Sequence, residues 1–215
     1  MKNSKKRVLA AVLALMTLLS LIACSRQDLV LDGTELKDKR TNVKYICASL
    51  SYEPIAKSDE VYGENDQYTF YSIIGQDPLY LICSDDGSVF AAEDFVIPTP
   101  DKMNFEYLEI CTETDTLTVN KTVTDKTVIN AIMAEHLVFE PYRYAGDVAA
   151  VTHKLRFADS SLGIFYSMTY LHYDEDLTLT NANGEYVNAG KDFIYDRFEG
   201  RLTKAPAELL AIING

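Results

Sequence analysis

The chain has no tryptophan among its 215 residues, only four cysteines, and 20 lysines and arginines against 32 aspartates and glutamates. Each scarcity excludes something. Without tryptophan, the aromatic platforms common in carbohydrate-binding modules would have to be built from its 14 tyrosines. The shortage of basic residues leaves a formal charge of −12. A surface that acidic repels phosphate backbones, so nucleic acid is excluded as a partner class. No Gly-x-Ser-x-Gly elbow, His-Glu-x-x-His pair or phosphate-cradling glycine loop occurs, so no catalytic motif or cofactor is announced. No close Cys-x-x-Cys pair is present to support a metal site. Long apolar runs are absent too, except for Val8 to Ala23. At 16 residues that run falls short of the roughly 20 a helix needs to cross a hydrocarbon core.

That run has a specific setting. It follows Lys2, Lys5, Lys6 and Arg7, and a basic start before a short apolar stretch is the form of a secretory signal. The stretch ends Leu21-Ile22-Ala23-Cys24. This junction resembles the lipobox of bacterial prolipoproteins, in which a branched residue and small residues precede an invariant cysteine. The resemblance covers the first two dozen residues only. It implies that residues 1–23 are removed, that Cys24 carries diacylglycerol, and that its new amine is often acylated. Two or more chains anchor a protein stably without spanning the bilayer. The expected location is therefore the extracytoplasmic face of a cell membrane or outer membrane. Ser25 after the cysteine would permit outer-membrane sorting in a Gram-negative envelope and has no such meaning in a single-membrane cell. Removing residues 1–23 deepens the formal charge to −16, because it takes away four positive charges and no negative ones.

With Cys24 assigned to lipid, Cys47, Cys83 and Cys111 remain. Each follows an isoleucine in an apolar stretch, which suggests strand interiors where cysteine packs as a small hydrophobe. Largely buried free thiols are expected, with one disulfide and a leftover thiol as the alternative.

The rest of the chain predicts an α+β fold rich in antiparallel β-meanders. Residues 24–40 are polar and charged around Gly33 and read as a lipidated tether. A first β-meander unit is expected over 41–100 and a second over 101–215, divided by Ile97-Pro98-Thr99-Pro100-Asp101. Asp86-Gly87 and Asn183-Gly184 mark tight hairpin turns. Thr124 or Asp125 caps an amphipathic helix over about 125–137, and Pro206 opens a short C-terminal helix. The units also look alike. Phe70-Tyr71-Ser72-Ile73 parallels Phe165-Tyr166-Ser167-Met168, and 87–96 parallels 184–194 with one inserted residue. A duplication would place a binding surface at the junction of two similar units.

Candidate chemistry is sparse. His136 lies on the apolar stripe of the helix and is expected to pack in the core. His153 and His172 fall in strands that could align them into a site. Asp174-Glu175-Asp176 lacks the spacing of a calcium loop and reads as a solvated strand end. Ser160-Ser161 reads as a turn. Tyr142-Arg143-Tyr144 is a candidate contact loop, since aromatic residues and arginine are enriched at interfaces. The arrangement resembles small envelope lipoproteins in which one helix packs on a meander, among them assembly accessory factors and protein inhibitors. The expectation is a non-enzymatic binding or accessory module for an envelope protein or small ligand. An envelope hydrolase with a site assembled from scattered acids and histidines is the first alternative. An inhibitor or immunity protein is the second.

Overall fold

A computed structural model describes residues 28–32, 35–143 and 149–215. The first strands are β1 (Leu29–Asp32), β2 (Glu35–Asp38), β3 (Lys44–Cys47), β4 (Tyr52–Pro54), β5 (Lys57–Glu64), β6 (Thr69–Ile73), β7 (Leu81–Ser84) and β8 (Val89–Ala92). A 3-10 turn at Pro100–Lys102 precedes β9 (Tyr107–Glu113), β10 (Leu117–Val123) and helix α1 (Lys126–Val138). The chain closes with β11 (Val151–Asp159), β12 (Ile164–Thr180), β13 (Tyr186–Asp196), β14 (Arg201–Lys204) and helix α2 (Ala207–Asn214). Two seven-stranded antiparallel sheets result. The first runs β1-β2-β3-β8-β7-β6-β5, and the second runs β10-β9-β11-β12-β13-β14 with β4 paired to the start of β12.

The first sheet curls on itself. Alternate residues of its strands point at one core of Leu29, Leu36, Tyr45, Phe70, Ile82, Phe90 and Ala92. Its edges, β1 and β5, meet through side chains and not through a ladder. Arg40 Nη2 donates to the Tyr62 carbonyl at 2.9 Å, and the Tyr62 hydroxyl donates to Asp38 Oδ2 at 2.7 Å. Gly63 makes room at the seam, because a Cβ there would stand 2.9 Å from Leu29 Cδ1.

The outer wall of that sheet feeds the largest core. Ile73, Leu81, Cys83 and Val89 pack with Leu108, Leu155, Phe157, Tyr166 and Met168 of the second sheet. The helices add Ile129, Ile132, Met133 and Leu209. β7 is thus buried on both faces, which is why Leu-Ile-Cys-Ser shows no alternation. Helix α1 begins where the Asp125 carboxylate accepts the Thr127 N–H at 2.9 Å. At its other end Arg201 Nη2 donates to the Leu137 and Phe139 carbonyls at 2.8 and 2.6 Å, satisfying acceptors the helix leaves open. Among the described residues, no helix is long and apolar enough to cross a membrane.

The α+β, meander-rich reading holds, and both helices stand where the caps put them. Three finer expectations do not. Within 24–40, β1 and β2 occupy most of the described residues and bury Leu29 and Leu36, so a tether does not extend to Arg40. These short strands were hidden by their charged outer residues. The chain-order boundary at 100 is crossed by β4, which belongs to the first half in sequence and to the second sheet in space. The sequence parallels are not equivalent positions either. The matched segments of the first sheet lie in β6 and β8, which flank β7 and run parallel to each other. Their counterparts in β12 and β13 are adjacent and antiparallel.

Candidate functional site

The second sheet carries charge on the face turned away from the main core. Period-two alternation sends Leu155 and Phe157 inward and leaves Lys154 and Arg156 outward, beside Glu109, Cys111 and Ser167 on neighbouring strands. β4 adds Glu53, which pairs across to Phe165. Glu53 is the hub. Its Oε1 lies 2.7 Å from Lys154 Nζ and accepts the Ser167 hydroxyl at 2.8 Å, while Oε2 lies 3.4 Å from Arg156 Nε. Arg156 also binds Glu109 Oε2 at 3.0 Å, with its guanidinium 3.7 Å above the centre of the Phe165 ring. Each carboxylate thus has a basic partner in a half-buried setting, and the ring holds the arginine in one orientation.

A cleft of about 350 Å³ opens beside this network, where the two sheets meet. The loop after β3 (Cys47 to Leu50), the turn between β7 and β8 (Asp86 to Ser88), β4 and Lys154 form its walls. Hydrogen bonds from the Ser84 hydroxyl and the Ser88 N–H outweigh burial at Asp86 and hold its carboxyl below the usual range. Burial, with the Asp86 charge, pushes the Cys47 thiol up. Nothing in that shift favours the thiolate. The cleft therefore offers donors and acceptors of both charges but no activated attacking group.

A second polar group lies on the core-facing side of the same sheet. Asp192 Oδ1 meets His172 Nδ1 at 2.7 Å and accepts the Tyr170 hydroxyl at 2.6 Å. The His153 ring stacks on Tyr170 with centroids 5.9 Å apart. Burial opposes the Asp192 charge, but Tyr170 and His172 outweigh it and keep the carboxyl low. Strand register does bring His153 and His172 into one group, with Tyr170 between them. His136 is different. It is fully buried, its Nδ1 is 2.7 Å from Thr203 Oγ1, and its Nε2 is 3.7 Å from Asp196. Tyr166 donates its hydroxyl to the same Asp196. This group fixes α1 to β13 and β14 and has no route to solvent.

The other sequence candidates resolve individually. Tyr142 bridges to Leu202 and packs its ring on Phe193, which leaves it half-buried. Arg143 is exposed, with its N–H bonded to the Thr180 carbonyl. Tyr144 lies outside the described residues, as do residues 1–23 and Cys24. Cys83 and Cys111 are free and buried, and burial pushes the Cys83 thiol up to about 11. Cys47 is free but exposed, contrary to expectation, because it ends its strand at the mouth of the cleft. Asp174 to Asp176 are exposed beside a register shift in β12, and Asp176 accepts from Asn188. Among the described residues no group of three histidine, cysteine or acidic side chains could hold a metal. Sequence reasoning missed Glu53, Lys154 and Arg156. The signal was Lys-Leu-Arg in a strand, which puts two cations on one face. No protein-family model, curated protein or solved structure matches the chain.

Proposed function

We propose that the chain is a membrane-tethered extracytoplasmic lipoprotein, attached through Cys24, that binds an envelope protein or a small polar ligand in the cleft between its sheets. The observation that carries the binding role is the cleft itself. Three separate stretches of chain converge on it, and Lys154 and Glu53 at its wall are held in place by Ser167 and Arg156. Pre-positioned groups of both signs recognise a ligand at little ordering cost. The lipobox supports the tether. The test uses Cys47, the exposed thiol at the cleft mouth. A photo-crosslinker placed there should capture a discrete species that excess unlabelled protein displaces. The same label on a variant combining Cys47→Ser with Tyr186→Cys, at an exposed residue of the second sheet, should not. An identical capture pattern from both sites would defeat the assignment.

An enzymatic reading is favoured by one observation, the His172–Asp192 pair. Its carboxylate orients an imidazole in the manner of a general base. Loss of an envelope-degrading activity on His172→Gln, with unchanged stability, would establish it; unchanged activity would remove it.

A further inference from the structure

We propose that one end of the first sheet, formed by Leu79, Tyr80, Val96 and the lysines at positions 37, 39 and 44, lies against the anionic headgroups of the membrane that carries the lipid. The inference rests on the tether reading and extends it to orientation. Leu29 is the fifth residue after Cys24 and already belongs to β1. Five residues, extended at up to about 3.6 Å each, reach no further than about 18 Å. A lipid on Cys24 therefore brings the end of the sheet that holds Leu29 close to the bilayer.

Backbone hydrogen bonds show which residues share that end. The Lys39 N–H donates to the Asp28 carbonyl, the Glu93 N–H to Lys44, and the Ala92 N–H to Tyr80, each at 2.8 Å. The cleft lies at the opposite ends of the same strands, beside Cys47 and the Asp86 turn. The end near Leu29 has two properties a headgroup layer would select. It exposes apolar side chains at Leu79 (43 %), Tyr80 (50 %) and Val96 (83 %), with the Tyr80 ring 5.4 Å from that of Phe95. Tyrosine is enriched at membrane–water interfaces because one end of its ring is apolar and the other polar. The segment Lys37 to Lys44 also holds four basic residues and one acidic one, in a chain that is otherwise strongly acidic. Lys37 and Lys39 are exposed. Lys44 reaches Glu35 at 3.3 Å and Glu93 at 3.8 Å, Arg40 lies 3.3 Å from Asp28 and 3.2 Å from Asp38, and Asp94 lines the same rim, so acids interleave with the basic residues and Lys37 and Lys39 are the lysines turned outward. The exposed Lys37 and Lys39 are the groups that meet anionic lipid held within a chain length of this end. The cleft then opens away from the membrane.

The chain's lack of tryptophan makes the test direct. Full-length lipidated protein carrying Tyr80→Trp is reconstituted in phosphatidylcholine–phosphatidylglycerol vesicles whose acyl chains are brominated, and Tyr186→Trp serves as the distal control. The indole at position 80 should be quenched several-fold more than the one at 186. Equal quenching of a chain that carries lipid by mass spectrometry and floats with vesicles would overturn the docking alone. A chain without lipid that fails to float would overturn tether and docking together. A concentration-dependent shift of the Tyr80→Trp emission without vesicles would put a second copy on the patch and also refute the proposal. Removing phosphatidylglycerol, or combining Lys37→Gln with Lys39→Gln, should weaken the quenching. Insensitivity to both would overturn the part assigned to the lysines.

Discussion

Asp38 shows how much one side chain can hold. Its carboxylate is shut from solvent and accepts the Arg40 N–H at 2.7 Å, the Arg40 guanidinium and the Tyr62 hydroxyl, so it ties β2 to the far edge of the same sheet. Burial opposes its charge, yet these bonds outweigh burial and keep the carboxyl below the ordinary range. The stability it contributes is complete above the ordinary carboxylate pKa of about 3.9 and is lost as pH falls through the lower folded value. Thermal melts should therefore drop below about pH 4. Asp38→Asn should cost about 1–2 kcal/mol at neutral pH, discounted for the partly exposed arginine, and should flatten that acid limb. Tyr166→Phe keeps the shape of a buried ring but removes the hydroxyl that Asp196 accepts. It should cost about 1–3 kcal/mol, seen as a lower urea midpoint with an unchanged slope. His136 in the core was legible from its place on the helix stripe. Its partners Thr203 and Asp196 were not, because they lie some 60 residues away in sequence and are selected by sheet register.

Elements were legible where local chemistry alone decides them. Asp125 caps α1, Asn-Gly and Asp-Gly turn hairpins, and Pro206 opens α2. Strands whose outer faces are charged were missed, β5 above all, since Lys-Ser-Asp-Glu-Val-Tyr-Gly-Glu has few β-branched residues to betray it. The seams between elements were equally hidden. Arg201 closes the end of α1 from β14, and Arg201→Met should cost about 1.5–3 kcal/mol. Amide exchange should then quicken first in the last turn of α1. Gly163, in the turn between β11 and β12, has φ +64°, and a Cβ there would stand 2.9 Å from Ile73 Cγ2 and 3.2 Å from the Ile74 carbonyl oxygen. Gly163→Ala should cost about 2–3 kcal/mol, because neither the backbone oxygen nor the left-handed turn can yield. Gly63→Ala meets the Leu29 side chain at Cδ1 (2.9 Å) and Cγ (3.1 Å) but no backbone at its closest contacts, and should cost less, about 1–2 kcal/mol. Denaturant melts of the two variants side by side would decide whether the sheets are rigidly pressed together at this turn.

At the scale of the whole molecule the fold class was readable from composition and turns, whereas the cleft was not. It is assembled from stretches around positions 50, 87 and 154, and only the crossing of β4 into the second sheet brings them together. That strand has one more consequence, for the order of assembly. Residues 52–54 leave the ribosome long before 164–166, so the first half of the chain emerges with a strand whose ladder partner has yet to be made. The second sheet is completed only by accepting that strand. A backbone cut between Glu93 and Phe105, outside both sheets, should therefore leave two pieces that stay together and reassemble after dilution from denaturant. Mixed with a first piece carrying Glu53→Pro, which removes the N–H at the centre of this short ladder, the second piece should recover less of its native signal. Two pieces that separate freely on gel filtration would show that the shared strand does not bind them.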